Sequence, residues 1–398
     1  MPLLSKLLAR LPSPRRAASP TGQGDLESSI SKTINDALAA AGLLRAPQPA
    51  AAPAQATTAT ATAPATRTAA RLALLAPEPV VEPMPDTPPR RASSPGSFVE
   101  HGFSNDAGMR RYKLYVPTGY NADATPGYPL LVMLHGCTQS PDDFAAGTRM
   151  NALADEHGFL VAYPAQSPNA NGSKCWNWFR PGDQGREAGE PALLAGLTRQ
   201  LMQQHAVDPQ RVYVAGLSAG AAMAVILGTT HPELYAAVGA HSGLPYRAAR
   251  DVPSAFAAMG GTHALREVAA ETDANTRQGK RPPAPVVPLI VFHGDADHTV
   301  APANGEALVK QATGAASELL PESQHKAVAA NGRHYTRSVY TTSLGEPLVE
   351  YWQVHGGGHA WFGGSSNGSY TDPRGPDASA EMVRFFLKVK QQHAPPTQ

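Results

Sequence analysis

Charge is scarce in this chain of 398 residues: Asp, Glu, Lys and Arg together make 16%, and the formal net charge at pH 7 is +1. A surface so balanced offers no basic field, so neither nucleic acid nor an anionic membrane surface is an expected partner. Long apolar runs are also lacking, and no stretch approaches the roughly 20 residues that a membrane helix needs. Cysteine is limited to Cys137 and Cys175, neither in a C-x-x-C spacing, and two thiols alone build no zinc centre. What is plentiful is apolar residues, at 42%, enough for one large α/β domain with something extra.

The extra part comes first. From Pro47 to Pro95 the chain is mostly Ala, Pro and Thr, with few large apolar side chains to offset the entropy of ordering it. Residues 1–95 therefore read as a disordered leader and linker, either a flexible tail or a docking device. One short helix is predicted from Ser29 to Leu44, where Ile30, Ile34, Leu38 and Ala41 fall near one face. Met1 to Leu11 is interrupted by Lys6 and Arg10, so it lacks the unbroken apolar core of a secretory signal.

Residues 96–392 are expected to form the folded domain. Phe98 to Phe103 and Arg111 to Val116 flank the turn-forming Ser104-Asn105-Asp106-Ala107-Gly108, which predicts an opening antiparallel hairpin. Leu130 to Leu134 is the uninterrupted apolar run of a strand buried on both faces. Helix then alternates with strand: Met150 to His157, Phe159 to Ala162, Pro191 to His205, Arg211 to Ala215, Ala219 to Gly228 and Ala236 to Ala240. The pattern continues with Leu289 to Phe292, Gly305 to Ala312, Val349 to Val354 and a closing helix from Ala378 to Lys390. This alternation predicts a mostly parallel central sheet with helices on both faces, an α/β fold whose ligands bind at the carboxyl ends of the strands.

Three chemically active groups follow predicted strands. Gly216-Leu217-Ser218-Ala219-Gly220 lies between a strand and a helix, the setting of a nucleophile elbow. Asp295 and Asp297 follow the strand ending at Phe292, and His359 follows Val354 across Gly356-Gly357-Gly358. The order Ser, Asp, His is that of the α/β-hydrolases. A serine hydroxyl needs a base to take its proton, and a carboxylate fixes that base's tautomer and stabilises its cation. Ser218, Asp297 and His359 are the expected triad. Asp297 is preferred because its carboxylate must reach past the Gly294 turn, leaving Asp295 as a turn acceptor, and His355 and His293 as packing or capping residues.

Two backbone N–H groups should bind the oxyanion: that of Ala219, and that of Cys137 in the loop opened by His135-Gly136. If paired, Cys137 and Cys175 would close a loop of about 40 residues, worth roughly 4 kcal/mol; the alternative is two buried free thiols. Trp176, Trp178 and Trp361 are candidates for an apolar acyl or aryl pocket, or for core.

His135-Gly136-Cys137-Thr138-Gln139, Cys175-Trp176-Asn177-Trp178, Gly216-Leu217-Ser218-Ala219-Gly220, His293-Gly294-Asp295-Ala296-Asp297 and Gly358-His359-Ala360-Trp361 together resemble the poly(3-hydroxybutyrate) depolymerase family of esterases, neighbours of the feruloyl and acetyl xylan esterases. The likeness covers about residues 97 to 390. It implies an α/β-hydrolase without a cofactor, the triad Ser218, Asp297 and His359, a disulfide between Cys137 and Cys175, and export from the cell, with a cytoplasmic location as the alternative because no secretory signal is read. The substrate expected is a small ester or oligoester, with polymer as an extension. Competing readings are a feruloyl or acetyl xylan type esterase, a peptidase on the same fold, and a non-catalytic granule-binding protein whose leader carries the function. No motif speaks to oligomeric state.

Overall fold

A computed structural model of the chain describes residues 96–262, 287–314, 322–330 and 332–389. The leader and the helix expected over residues 29–44 lie outside the described residues. The chain opens with a hairpin of β1 (Ser97–Asn105) and β2 (Gly108–Val116), closed by the two residues Asp106 and Ala107. Asn105 shapes that turn through its side chain, whose Oδ1 accepts the Ala107 N–H at 2.9 Å.

The apolar runs become β3 (Tyr128–Leu134), β4 (Leu160–Pro164), β5 (Val207–Leu217), β6 (Ala237–His241) and β7 (Leu289–Gly294). They are followed by β8 (Glu322–Val328), β9 (His334–Thr341) and β10 (Pro347–Val354), all ten strands forming one sheet in the order β1-β2-β4-β3-β5-β6-β7-β10-β9-β8. From β4 across to β10 every neighbouring pair is parallel, and antiparallel strands flank both sides. The sequence explains the division. Strands of continuous Val, Leu and Ala tolerate burial on both faces, whereas β8 is exposed along nearly its whole length.

Alternate residues of β3 feed two cores, as a period of two requires: Leu130, Val132 and Leu134 pack on one face, Leu131 and Met133 on the other. The second face is covered by α1 (Pro141–Thr148), α2 (Met150–His157) and, later in the chain, the closing helix. The first face carries α3 (Gly189–Gln204), α4 (Ala219–Thr230), α5 (Val252–Met259) and α6 (Ala303–Gly314). Helix α4 is buried on all sides from Ala219 to Gly228, so it shows no amphipathic stripe; its small residues let it press onto the sheet. A side chain at Gly228 would strike Val238 of β6. Closing α7 (Ala378–Lys388) is amphipathic, burying Met382, Val383, Phe385 and Phe386, and Asp377 caps it by accepting the Ala380 N–H at 3.0 Å.

Three features were not anticipated. Helices α1 and α5 have eight residues each and are set by caps: Ser140 and Asp251 with proline in the first turn. Strands β8 and β9 are polar and are held by pairing rather than by burial. Beside the main sheet, β11 (Trp361–Phe362) pairs with β12 (Thr371–Asp372), fastening the segment that follows His359. Among the described residues no helix is long and apolar enough to cross a membrane.

Candidate active site

The turn from β5 into α4 leaves Ser218 alone between strand and helix, at φ 58° and ψ −119°. Such backbone costs a non-glycine residue on the order of 1–3 kcal/mol and persists only where its surroundings impose it. Here they do: Ser218 N–H donates to the His241 carbonyl at 2.9 Å, and its own carbonyl accepts from Ala222 N–H at 3.0 Å. The flanking glycines are a steric necessity. A Cβ on Gly220 would collide with the Leu134 carbonyl oxygen, and one on Gly216 with the backbone of Gly220.

Beyond β7, Asp297 is held by its own turn. Its Oδ1 accepts the N–H groups of Thr299 at 2.9 Å and Val300 at 2.8 Å, and its Oδ2 lies 2.7 Å from His359 Nδ1. Both side chains are buried. Burial opposes ionisation of Asp297, yet the His359 ring and its hydrogen bond, helped by His293, hold the carboxyl at about 2. An ionised acceptor puts the imidazole proton on Nδ1 and leaves Nε2 as the basic nitrogen. Ser218 and His359 line one cavity, with no hydrogen bond between them among the described residues; such contacts are often long before substrate binds.

Asp295 has a different companion. It accepts the Gly356 N–H at 2.6 Å and pairs with His355 Nδ1 at 2.8 Å, both side chains partly exposed. His293, expected to pack or cap, is fully buried, donates through Nε2 to the Val300 carbonyl at 2.8 Å, and stands 3.6 Å from Asp297 Oδ2.

In the loop after β3, Gly136 N–H is taken by Gln139 Oε1 at 2.9 Å. His135 sets the next peptide. Its Nε2 accepts the Gln166 N–H at 3.1 Å, so Nδ1 carries the proton and donates to the Gly136 carbonyl at 2.7 Å. In a trans peptide the N–H points opposite to the C=O, so this bond fixes the direction of Cys137 N–H. Burial lowers the His135 pKa to about 4, which keeps the ring neutral. Neither Cys137 N–H nor Ala219 N–H donates to any group among the described residues, and both residues line the cavity.

Cys137 and Cys175 are joined by a disulfide, S–S 2.06 Å. Its far end sits in a segment organised by Glu190, a buried carboxylate on α3. Glu190 accepts the Asn177 N–H at 2.7 Å, Asn177 Nδ2 at 2.9 Å and Arg110 at 3.0 Å, and also Gln166. Neither His135 nor Glu190 was given a site role by the sequence reading. The signal available for His135 was a polar residue at the end of an apolar strand; Glu190 had none, since its partners are scattered from Arg110 to Asn177.

The cavity measures about 490 Å³, and beside Ser218 and His359 its wall includes Val252, Phe256 and Met259 of α5, Leu244, and Trp178 with Phe179. Of the three tryptophans that were candidates for pocket or core, only Trp178 lines it. Trp176 and Trp361 are buried elsewhere, because each indole N–H is spent on the fold: Trp176 donates to the His135 carbonyl at 3.1 Å and Trp361 to Ser379 Oγ at 3.0 Å. Among the described residues no group of three His, Cys, Asp or Glu side chains is disposed to hold a metal ion.

A family model described as Esterase PHB depolymerase matches residues 110–318. The chain is 35% identical over 257 residues to poly(3-hydroxyalkanoate) depolymerase C of Paucimonas lemoignei, covering 64% of this chain and 59% of that protein. It is 29% identical over 273 residues to poly(3-hydroxybutyrate) depolymerase of Ralstonia pickettii, covering 65% of this chain and 54% of the other. It thus spans a little over half the length of these relatives. Among solved structures, an acetyl xylan esterase from Aspergillus awamori superimposes with TM-score 0.56 at 20% identity, over 73% of this chain and 99% of that one. The fold is that of the α/β-hydrolases, and the chain belongs to the Esterase PHB depolymerase family.

Proposed function

We propose that this chain hydrolyses carboxylic esters through a covalent acyl-enzyme on Ser218. The observation that carries the reading is the buried Asp297–His359 pair, 2.7 Å apart, whose histidine lines the same cavity as a serine in elbow geometry. His359 Nε2 takes the Ser218 proton as Oγ attacks the ester carbonyl. Charge on the tetrahedral oxygen is met by the N–H groups of Cys137 and Ala219. His359 then gives the proton to the departing alcohol, and a water activated by the same nitrogen frees Ser218 and releases the acid. Asp297 holds the tautomer and stabilises the imidazolium.

For substrate we infer 3-hydroxybutyrate-type hydroxyalkanoate esters or oligomers, supported by the two depolymerases the chain is similar to and by the largely apolar α5 wall. The second reading, an acetyl or feruloyl ester on carbohydrate, is favoured by the likeness to the acetyl xylan esterase. Residues 96–392 are proposed as the catalytic unit. The disulfide supports an exported protein, since such bonds persist in oxidising compartments.

The test is turnover of p-nitrophenyl esters from acetate to octanoate, beside a 3-hydroxybutyrate oligomer, methyl ferulate and acetylated xylan, by the native protein and Ser218→Ala. Serine-dependent turnover with the oligomer preferred is expected. Preference for methyl ferulate or acetylated xylan would select the second reading, and turnover unaffected by Ser218→Ala would refute both.

A further inference from the structure

Two cavity-wall residues hold left-handed backbone, Ser218 at φ 58° and Tyr370 at 52°, and so does Thr138 at 67°, next to the wall residue Cys137. The elbow accounts for Ser218. For the β-branched Thr138 such a value is a true outlier that its surroundings must impose. Thr138 and Tyr370 are 232 positions apart, and Tyr370 Oη lies 2.8 Å from Thr138 Oγ1. The direction of that bond follows from a second one. Thr138 Oγ1 donates its proton to the Cys137 carbonyl at 2.6 Å, so Tyr370 must donate to Thr138. The relay runs from the Tyr370 hydroxyl through the Thr138 hydroxyl to the Cys137 carbonyl.

Both ends of the relay are anchored. Thr138 N–H donates to the Ser173 carbonyl at 2.7 Å, and the Tyr370 carbonyl accepts the Trp361 N–H at 2.7 Å. Next to Tyr370, Ser369 donates to Asp143 through N–H at 2.9 Å and Oγ at 2.5 Å, and its carbonyl accepts from Gln139 Nε2 at 3.2 Å. Gln139 is the residue whose other side-chain atom holds Gly136 N–H. The segment following His359 is therefore sewn to the loop that carries Cys137.

We propose that Tyr370 and Thr138 are a positioning pair for the oxyanion site, holding Cys137 N–H in its binding orientation and tying the oxyanion loop to the histidine segment. This rests on the reading of Ser218 as nucleophile. The carbonyls on both sides of the Cys137 Cα are bound, that of Gly136 by His135 and that of Cys137 by Thr138. Without the second bond the Cys137–Thr138 peptide can turn about the Cys137 Cα, and the loop that carries the His135-oriented Cys137 N–H shifts away from the position where charge develops. Such a loss is felt in the transition state rather than in ground-state binding.

The test uses Tyr370→Phe, Thr138→Val and Thr138→Ser in the full chain, with p-nitrophenyl butyrate as substrate and a trifluoromethyl ketone as transition-state probe. Tyr370→Phe and Thr138→Val should each lower kcat about tenfold, the size of one lost hydrogen bond, with KM within about twofold. Affinity for the ketone should fall in parallel with kcat/KM, Thr138→Ser should restore most of the rate, and the double variant should be no slower than the worse single one. Should one variant fold poorly, the other still tests the relay. A higher KM with kcat and ketone affinity unchanged would make Tyr370 only a wall of the cavity, and multiplying losses would break the relay; either overturns the proposal. Full activity of Ser218→Ala would instead overturn the nucleophile reading beneath it.

Discussion

Asp297 Oδ2 lies 2.7 Å from His359 Nδ1, and two residues earlier Asp295 Oδ2 lies 2.8 Å from His355 Nδ1. The two pairs have the same chemistry and nearly the same geometry; their surroundings separate them. The Asp297 side chain is 0% exposed and that of Asp295 is 35% exposed. Asp297→Asn should therefore lower kcat by about 10³ to 10⁴, by favouring the wrong tautomer of His359. Asp295→Asn should cost less than about tenfold, since a partly exposed Asp–His contact contributes little. Steady-state kinetics on both variants check this, and equal losses would reverse the assignment.

At the elbow, Gly220→Ala places a Cβ against the Leu134 carbonyl oxygen, which neither β3 nor α4 can yield without shifting backbone. The expected result is a fall in stability of several kcal/mol, read as a lower thermal midpoint, together with loss of activity. Gly185→Ala, at a position where an added Cβ meets nothing within 4 Å, is the control and should stay within about 0.5 kcal/mol of the native protein.

The Cys137–Cys175 bridge spans a sequence separation of 38. Loop-closure entropy makes its contribution about 4 kcal/mol. Replacing both cysteines by serine should lower stability on that scale and, if Cys137 N–H serves the oxyanion as proposed, reduce kcat more than it raises KM, because Cys137 lines the cavity and the bridge holds its loop. Denaturant melts and kinetics test the two parts separately.

His135 connects the site to pH. Its pKa is lowered by burial from 6.5 to about 4, so between those values the unfolded chain binds a proton that the folded chain refuses. Stability from this group is complete above pH 6.5 and is lost as pH falls toward 4, by on the order of 3 kcal/mol. His231, also lowered to about 4 chiefly by burial, adds in the same direction. Urea melts across this range should show the loss, and His135→Asn should flatten part of the slope. An unchanged slope would mean that His135 is not buried neutral.

Much of this was legible in the sequence, for identifiable reasons. The elbow announced itself because Gly216 and Gly220 are sterically required around Ser218, and the inner strands because burial on both faces demands unbroken apolar runs. The Asp297 preference rested on reach past a turn, and the structure places that residue beside His359. The histidine segment and the loop after β3 were less legible. For Trp361 and Trp176 the sequence left pocket and core open, and their indole N–H groups meet Ser379 and His135 across the fold. Such bonds depend on long-range proximity, as does the Tyr370–Thr138 contact over 232 positions, and local pattern does not encode it. Strands β8 and β9 escaped for a related reason, being polar segments stabilised by their neighbours.

The most direct test of the central claim is to trap the acyl-enzyme. Rapid quenching with acid during turnover of p-nitrophenyl butyrate, followed by peptide mass spectrometry, should find one butyryl group on Ser218, and none in Ser218→Ala, which should also lack a burst of p-nitrophenol. An acyl group on another residue, or a burst that survives Ser218→Ala, would contradict the account.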